Sequence, residues 1–261
     1  YSYQLMKLIL SPLQKIPMVQ PGDDLPGLIL AALAQEGIAL QNDDILVIAQ
    51  KIVSKAEGRL VRLRDVTPSK DAVKLAAETE KDPRFVELVL RESSAVLRYR
   101  PGTLIVKHRL GFVCANAGID HSNVMAEEGS EPDAMLLLPE DPDRSAEQIR
   151  LSLCQQTGLE RLGVMIIDSH GRAWRRGTVG ITIGLAGVPG LVDMRGKPDL
   201  FGYQLRVTEV AAADELAAAA SLMMGQAAEG RPVVHVRGFP FPLREGHLNE
   251  LIRPKELDLF L

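Results

Sequence analysis

Apolar and polar residues follow one another along the chain in short blocks that predict interleaved strands and helices. Apolar runs of strand length recur, and Gly, Pro and charged residues bound them. The stretch 43–61 predicts a buried strand, then a polar bend, then a possible return strand. The other predicted strand segments are 5–10, 95–118 with turns at "RPG" and "RLG", 134–139, 161–168, 178–192 and 232–238.

Helix signals fill the intervals between these strands. In 21–37, Asp24 is a suitable N-cap, Pro26 falls in the first turn and Gly37 ends the pattern. The remaining predicted helices are a pair in 67–93 that breaks at "DP" and begins at Thr67 or Ser69, one in 141–158 closed by Gly158, and an Ala-rich one in 208–226. Because the interleaving is irregular and hairpin-like turns recur, the pattern favours an α+β fold with a mixed sheet over a regular doubly wound sheet.

Composition narrows the class of protein further. The 261 residues are 46% hydrophobic with a net charge of −4, which indicates a globular chain without bulk attraction for nucleic acid. No apolar run reaches the length of a membrane span, and the start of the chain lacks a signal-peptide pattern. Two cysteines in apolar surroundings, Cys114 and Cys154, fit a reducing compartment. We therefore expect a soluble cytoplasmic protein without nucleic-acid or membrane partners.

Several familiar catalytic motifs are absent from the sequence. It has no GxxxxGK[ST] phosphate loop, no GxGxxG dinucleotide fingerprint, and no HExxH, CxxC or GxSxG. The P-loop, Rossmann, zinc-protease, thioredoxin-like and serine-hydrolase classes therefore lack their main residues.

Polar clusters that follow apolar runs carry the candidate chemistry. Asp120 stands in "GIDHSN" and Asp168 in "IIDSHGR", each after an apolar run and each followed closely by a hydroxyl residue. Carboxylate and hydroxyl oxygens suit Mg²⁺ or Mn²⁺, which commonly accompany nucleotide phosphates. A single Asp at a strand end usually forms a turn or caps a helix. Because two similar motifs occur, the turn interpretation and the metal-site interpretation are about equally supported.

Basic and imidazole groups lie near both aspartates. Lys55, Arg172, Arg175 and Arg176 could neutralise phosphate, although "RAWRRG" alone is more typical of a solvated basic stretch. His121 and His170 lack the helical spacing of metal ligands, so we interpret them as hydrogen-bonding groups. Cys114 is interpreted as a small core residue, and His108 and His235 as structural residues on strand faces.

At these residues the sequence resembles the coenzyme F-420-0:L-glutamate (γ-glutamyl) ligases. The stretches that carry the resemblance are "IPMVQPGDDL", "VIAQKIVSKAEGR", "GFVCANAGIDHSN", "IIDSHGRAWRRGTVGITIG" and "ADELAAAASLMMGQAAEGRPVVHVRG". The resemblance spans roughly residues 8 to 240. It implies a two-lobed mixed α+β ligase fold that is neither P-loop nor Rossmann, in an intertwined homodimer. It further implies one ligase domain over 1–261, with no C-terminal nitroreductase-like domain in this sequence. The domain would be either a stand-alone ligase or the N-terminal ligase domain of the bifunctional form that some bacteria have.

The implied activity is the GTP-dependent addition of L-glutamate to coenzyme F-420-0, a deazaflavin with a phospholactate tail. Two divalent ions, Mn²⁺ or Mg²⁺, and K⁺ are implied as cofactors. Asp120, Asp168 and Lys55 are implied as catalytic, and the implied metal ligands are Asp120, Asp168, Ser169 and Gln226. The residues implied to contact GTP are Gln14, Lys15, Ile16, Pro17, Gln50, Lys51, Lys55 and Asn123. Candidates for phosphate or substrate contacts are Arg172, Arg175 and Arg176.

Two other interpretations fit the same sequence. One is a non-catalytic module that binds a deazaflavin or a nucleotide, against which the retained Asp120, Asp168 and Lys55 argue. The other is a related ligase with a different acceptor, such as a dehydro form of the deazaflavin. The sequence does not separate these acceptors.

Overall fold

A computed structural model describes residues 7–120 and 133–259, and within them the chain forms an α+β fold. The strands are β1 Ile9–Leu13, β2 Asp44–Ala49, β3 Leu60–Arg62, β4 Ser93–Arg100, β5 Thr103–His108, β6 Val113–Ala115, β7 Ala134–Leu136, β8 Leu162–Arg172, β9 Arg175–Ala186, β10 Val192–Asp193, β11 Glu209–Val210 and β12 Val233–Arg237. The α-helices are α1 Leu25–Gln35, α2 Gln50–Ala56, α3 Lys70–Thr79, α4 Pro83–Arg91, α5 Pro142–Thr157 and α6 Ala212–Met224. None of the helices in these described ranges is long and apolar enough to cross a membrane.

The main sheet has five strands in the order β1-β12-β2-β8-β9. Only the central pair β2–β8 is parallel, and the other three neighbouring pairs are antiparallel. The predicted mixed sheet is therefore confirmed. Smaller sheets join β4-β5-β6, β3-β7 and β10-β11. The two-lobed, intertwined dimer remains a prediction.

Local sequence signals located most helices correctly. Ser69 rather than Thr67 caps α3, because its hydroxyl accepts the Ala72 N–H at 3.2 Å. Helix α4 begins at Pro83 after the predicted break, and Gly158 ends α5 in the left-handed conformation. Asp24 occupies the N-cap position of α1, although its side chain makes no capping hydrogen bond.

Four sequence predictions need correction. The expected polar bend after β2 is the helix α2, and the return strand β3 pairs with β7 instead of β2. The first strand begins at Ile9, later than the predicted 5–10 segment. Strand β8 runs to Arg172, so Asp168 lies within a strand and not at its end.

Apolar side chains from both faces of the main sheet form the core. Helices α5 and α6 pack closely on β9, where glycines leave room for them. A Cβ on Gly184 would lie 2.5 Å from the Pro142 backbone, and a Cβ on Gly180 would lie 2.5 Å from the Ala217 oxygen. A smaller, separate apolar cluster consists of Leu63, Val66, Leu88, Met135 and Leu137.

A buried charge cluster anchors the first residue of β2. Asp44 is 1% exposed; its carboxylate accepts hydrogen bonds from Arg237 at 2.7 and 2.8 Å and contacts His235 Nε2 at 2.9 Å. Burial raises the pKa of the Asp44 carboxyl, but the hydrogen bonds from Arg237 and His235 outweigh it and hold the pKa at about 2. The cluster therefore joins β2 to β12 through an ionised carboxylate.

We expect Asp44→Asn to lower the free energy of unfolding by about 2 kcal/mol at neutral pH, because it leaves Arg237 and His235 without their charged partner. The depressed pKa contributes stability above the unfolded value of 3.8, and this contribution is lost as pH falls towards 2. Urea unfolding at pH 7 and at pH 3 measures both effects. The matched control, Asp43→Asn, removes the exposed pair with Arg161 and should change stability little. An equal loss in both variants would contradict the prediction.

Candidate functional site

A cavity of about 630 Å³ opens at the edge of the main sheet where the parallel pair ends. Strand β2 stops at Ala49, which pairs with Ile167, so Asp168 is the first residue of β8 beyond that pairing. Open α/β sheets commonly bind ligands at this carboxyl edge of parallel strands. The walls of the cavity come from α2, β8, the end of α6 and the segments 115–120 and 225–232.

Asp120 reaches the cavity from a tight turn next to β7. Its backbone forms an isolated bridge with Leu136, with both hydrogen bonds at 2.9 Å. The turn before it is close to the core: Gly118 has φ 64°, and a Cβ there would lie 2.8 Å from Leu138 Cδ1. Glycine therefore suits this position, because a side chain there would be strained and would press on Leu138.

The Asp120 carboxylate meets the first turn of α2. Gln50 Nε2 donates to Asp120 Oδ2 at 2.6 Å, and Ser54 Oγ donates to Gln50 Oε1 at 2.9 Å. Lys51 Nζ lies 3.3 Å from Asp120 Oδ1. Burial raises the pKa of the Asp120 carboxyl to about 6, and the negative Asp168 adds to the rise, although Lys51 and Gln50 act against it. The two aspartates are therefore close enough to repel each other.

His170 holds the second carboxylate. Its Nε2 lies 2.9 Å from Asp168 Oδ2, and the ring is 5% exposed. Phe112 packs against the ring at 5.2 Å between centroids, and Phe112 also stacks on His108 at 5.0 Å. The sequence-based interpretation of His170 as a hydrogen-bonding group is confirmed.

A hydroxyl–amide chain links β8 to the end of α6. Ser169 Oγ donates to Gln226 Oε1 at 2.9 Å, and Gln226 Nε2 donates to Ser221 Oγ at 3.0 Å. The Cβ that Gly180 lacks would lie 2.5 Å from Ser221 Cβ, so this glycine lets α6 approach the sheet. Ser169 and Gln226 are therefore neighbours, as two ligands of one cation would be.

Two lysines supply positive charge on the cavity wall. Lys51 and Lys55 both lie on α2 and line the cavity. Burial lowers the pKa of the Lys55 ammonium, and the nearby positive charge of Lys51 lowers it further. A bound anion would relieve this repulsion, so the lysines favour an anionic ligand.

The oxygen donors fit a hard divalent cation. Within residues 7–120 and 133–259 there is no group of three His, Cys, Asp or Glu side chains that could hold a metal. Mg²⁺ and Mn²⁺, however, accept few carboxylates and complete their coordination with hydroxyl, amide, water and phosphate oxygens. Burial and the repulsion from Asp168, which together raise the pKa of Asp120, would both be offset by such an ion between the two carboxylates.

Other predicted site residues lie outside this cavity wall. Residues 14–17 follow β1 and are not part of the lining, although Met18 is. Ile16 packs on the core, and Gln14 N–H donates to Glu36 at 2.6 Å. Arg172, Arg175 and Arg176 lie at the end of the β8–β9 hairpin, beyond the cavity. Asn123 and His121 fall outside the described residues.

Sequence reasoning missed two parts of the site. Ser221 and Met224 line the cavity, although the Ala-rich helix that carries them was expected only to pack. Ser221 is the one hydroxyl residue in the run 212–224, and it could have indicated that this part of the helix faces a polar site. The inward orientation of Gln50, which is 1% exposed, had no such signal because its partner is 70 residues away.

The fold and the cavity together define a class of protein. A mixed α+β chain that gathers two carboxylates, two lysines and a hydroxyl–amide chain around one open cavity has the donor set of an enzyme for anionic small molecules. Comparison with known proteins identifies the family within that class.

The family model described as F420-0:Gamma-glutamyl ligase matches residues 14–238. Several relatives match over nearly the full length of both chains. "Coenzyme F420:L-glutamate ligase" of Methanothermobacter thermautotrophicus is 48% identical over 98% of this chain and 99% of its own. The proteins of the same name from Methanopyrus kandleri and Archaeoglobus fulgidus are 45% and 43% identical, covering 98% and 96% of their own lengths. The chain belongs to the F420-0:gamma-glutamyl ligase family.

Proposed function

We propose that this chain is a GTP-dependent ligase that joins L-glutamate to the phospholactyl carboxylate of coenzyme F-420-0. Repetition of the reaction would give polyglutamylated coenzyme F-420. The observation that carries the proposal is the convergence of Asp120, Asp168 and Lys55 on one cavity in a member of this family. A module that only bound its ligand would not need two mutually repelling carboxylates; burial raises the pKa of Asp120, and the nearby Asp168 raises it further.

The proposed reaction has two steps. The phospholactyl carboxylate attacks the γ-phosphorus of GTP; a carboxylate O–P bond forms and the bond to the β-phosphate oxygen breaks, releasing GDP. The amine of L-glutamate then attacks the acyl carbon, the C–O bond to the phosphoryl group breaks, and inorganic phosphate leaves with its former carboxylate oxygen. The amine loses a proton to give the amide.

This chain's residues would bring the anions together. Lys55 and Lys51 line the wall where the triphosphate would lie and would offset its charge. Gln50 and His170 hold the carboxylates of Asp120 and Asp168 in fixed orientations. Charge neutralisation and positioning supply most of the rate in phosphoryl transfer, so this arrangement suits the first step.

The proposed cofactors are two divalent cations, Mn²⁺ or Mg²⁺, and K⁺. Asp120 and Asp168 would hold one divalent cation, and Ser169 with Gln226 would contribute to the second. When bound, these cations would neutralise the phosphate oxygens. The hydrogen bond of 2.9 Å between Ser169 and Gln226 supports the second assignment.

Oxygen labelling tests the acyl-phosphate route. With ¹⁸O in the phospholactyl carboxylate, the scheme predicts transfer of one labelled oxygen to inorganic phosphate for each amide formed. Label in GDP, or none in phosphate while the amide forms, would contradict the mechanism. Phosphate release should also require coenzyme F-420-0, L-glutamate and GTP together, and replacement of GTP by ATP should abolish it.

We expect Gln50→Leu to lower kcat about tenfold and to leave KM for GTP nearly unchanged. The Gln50 amide points at Asp120, so its loss frees that carboxylate to rotate. Steady-state kinetics in GTP separate the two constants. Ser54→Ala, which removes only the support for Gln50, should give a smaller effect in the same direction. A raised KM for GTP with unchanged kcat would instead indicate that Gln50 contacts the nucleotide directly.

A homodimer is part of the proposal. Residues 192–210 form an arm in which Leu200 and Phe201 are 98% and 95% exposed. Adjacent exposed apolar side chains of this size are typical of a protein–protein contact. Light scattering should give twice the 28.5 kDa mass of the chain. A monomer at micromolar concentration would contradict the dimer.

A further inference from the structure

The β8–β9 hairpin continues past the cavity and ends in a cationic, aromatic tip. We call Arg172, Trp174, Arg175 and Arg176 the hairpin tip. Arg172 pairs with Arg175 across the hairpin, and Gly171, the residue before Arg172, lines the cavity. The tip is therefore a direct extension of the strand that carries Asp168.

Trp174 is the only tryptophan in the chain, and it is 90% exposed. Its φ of 62° is in the left-handed region, which non-glycine residues seldom adopt. An indole this exposed adds little to the core. The large, flat aromatic surface of the indole can stack on a flat ring of a ligand.

Three arginines accompany this indole within five positions. Among the ion pairs formed by residues 7–120 and 133–259, none involves Arg172, Arg175 or Arg176. Guanidinium groups this close repel one another, and a phosphate diester would pair with them through its two free oxygens. The tip thus offers an aromatic face and a phosphate-binding edge together.

We propose that the hairpin tip is the subsite for the acceptor: Trp174 stacks on its ring system and the arginines bind its phosphodiester. The inference rests on the proposed function, which supplies an acceptor with a flat ring at one end and a reacting carboxylate at the other. Arg172 lies four positions after Asp168 along β8, about 13 Å at the usual rise. The carboxylate would lie in the cavity and the ring beyond it.

Kinetics of two Trp174 variants test the stacking. Trp174→Ala should raise KM for coenzyme F-420-0 about tenfold, because stacking on an aromatic side chain is lost. Trp174→Phe, which keeps a ring, should stay within about twofold of the wild type. KM for GTP and for L-glutamate should not change. An unchanged acceptor KM in Trp174→Ala overturns the subsite, and so does a change in oligomeric state, which would make the tip an interface between copies.

The arginines have a matched control just before the start of β8. Arg172→Gln and Arg176→Gln should each raise the acceptor KM about threefold to tenfold and weaken its dependence on salt. Arg161→Gln, at the residue that precedes β8, should not. Equal effects in all three variants would overturn the proposal.

A binding measurement distinguishes failure of this subsite from failure of the proposed function. Equilibrium dialysis of coenzyme F-420-0 against the wild type and Trp174→Ala needs neither GTP nor turnover. Product formation by the wild type with equal binding by both proteins overturns only the subsite. Weaker binding of coenzyme F-420-0 by Trp174→Ala supports the subsite, whether or not the wild type forms a glutamylated product. Absence of that product would overturn only the proposed ligase activity.

Discussion

Asp120→Asn should lower ligase turnover at least about a thousandfold and leave the fold intact. Removing a preorganised charge from the reacting centre typically costs that much, because nothing else takes its place. An amide keeps the size of the side chain and can still accept a hydrogen bond from Gln50. Turnover at saturating GTP and cation measures the effect. Near-normal activity would contradict the assignment of Asp120, and Asp65→Asn, an exposed acid on another face, is the control.

The same variant should not be less stable than the wild type at neutral pH. Burial raises the pKa of Asp120 to about 6, so the folded state disfavours the ionised form. Wild-type stability should fall as pH rises from about 4 through 6, and Asp120→Asn should lack that fall, a difference of about 3 kcal/mol at pH 7. Chemical denaturation in the absence of divalent cations measures the difference. A variant clearly less stable than the wild type at pH 7 would contradict this account of the carboxylate.

Lys55→Met should lower kcat about a hundredfold and raise KM for GTP. The ammonium lies on the wall where the triphosphate would bind. Its loss removes an attraction to the phosphoryl oxygens that becomes stronger in the transition state of the transfer. Methionine keeps the apolar stem in place. Because burial and Lys51 lower the pKa of Lys55, the free protein should not be destabilised by the change. Kinetics and thermal unfolding of the same preparation check both statements.

The control for Lys55→Met is Lys74→Met on the exposed face of α3, which removes an equal charge far from the cavity. Lys74→Met should behave as the wild type in kcat and in KM for GTP. If Lys55→Met left both KM for GTP and kcat unchanged, that result would contradict the role of Lys55 in the site. A fall in both variants would instead indicate a general effect of net charge.

The sequence predicts elements best where the signal is local. Ser69, Pro83 and Gly158 mark helix ends through contacts with their own helices, so the sequence alone shows them. Helix α2 was missed because its seven residues include β-branched side chains. So short a helix depends on packing against the rest of the fold.

In the candidate site, too, some residues are predicted by local signals and others depend on the assembled fold. Asp120 and Asp168 were predicted because each follows an apolar run with polar neighbours. That Gln50 orients Asp120 could not be predicted, because β2, α2 and the turn at Gly118 must first be assembled. The continuation of β8 beyond Asp168 was missed because polar residues replace apolar ones where the hairpin leaves the core. Local pattern identifies the charged groups, and the fold determines which of them meet.

Mass spectrometry of the reaction product tests whether the chain joins L-glutamate to coenzyme F-420-0. The protein is incubated with coenzyme F-420-0, GTP, L-glutamate and Mn²⁺, and the deazaflavin is analysed with Asp120→Asn in parallel. We expect mass increments of glutamyl residues with the wild type, and none with the variant or when GTP is omitted. An unmodified deazaflavin, in a reaction where the wild type binds both GTP and coenzyme F-420-0, would contradict the ligase.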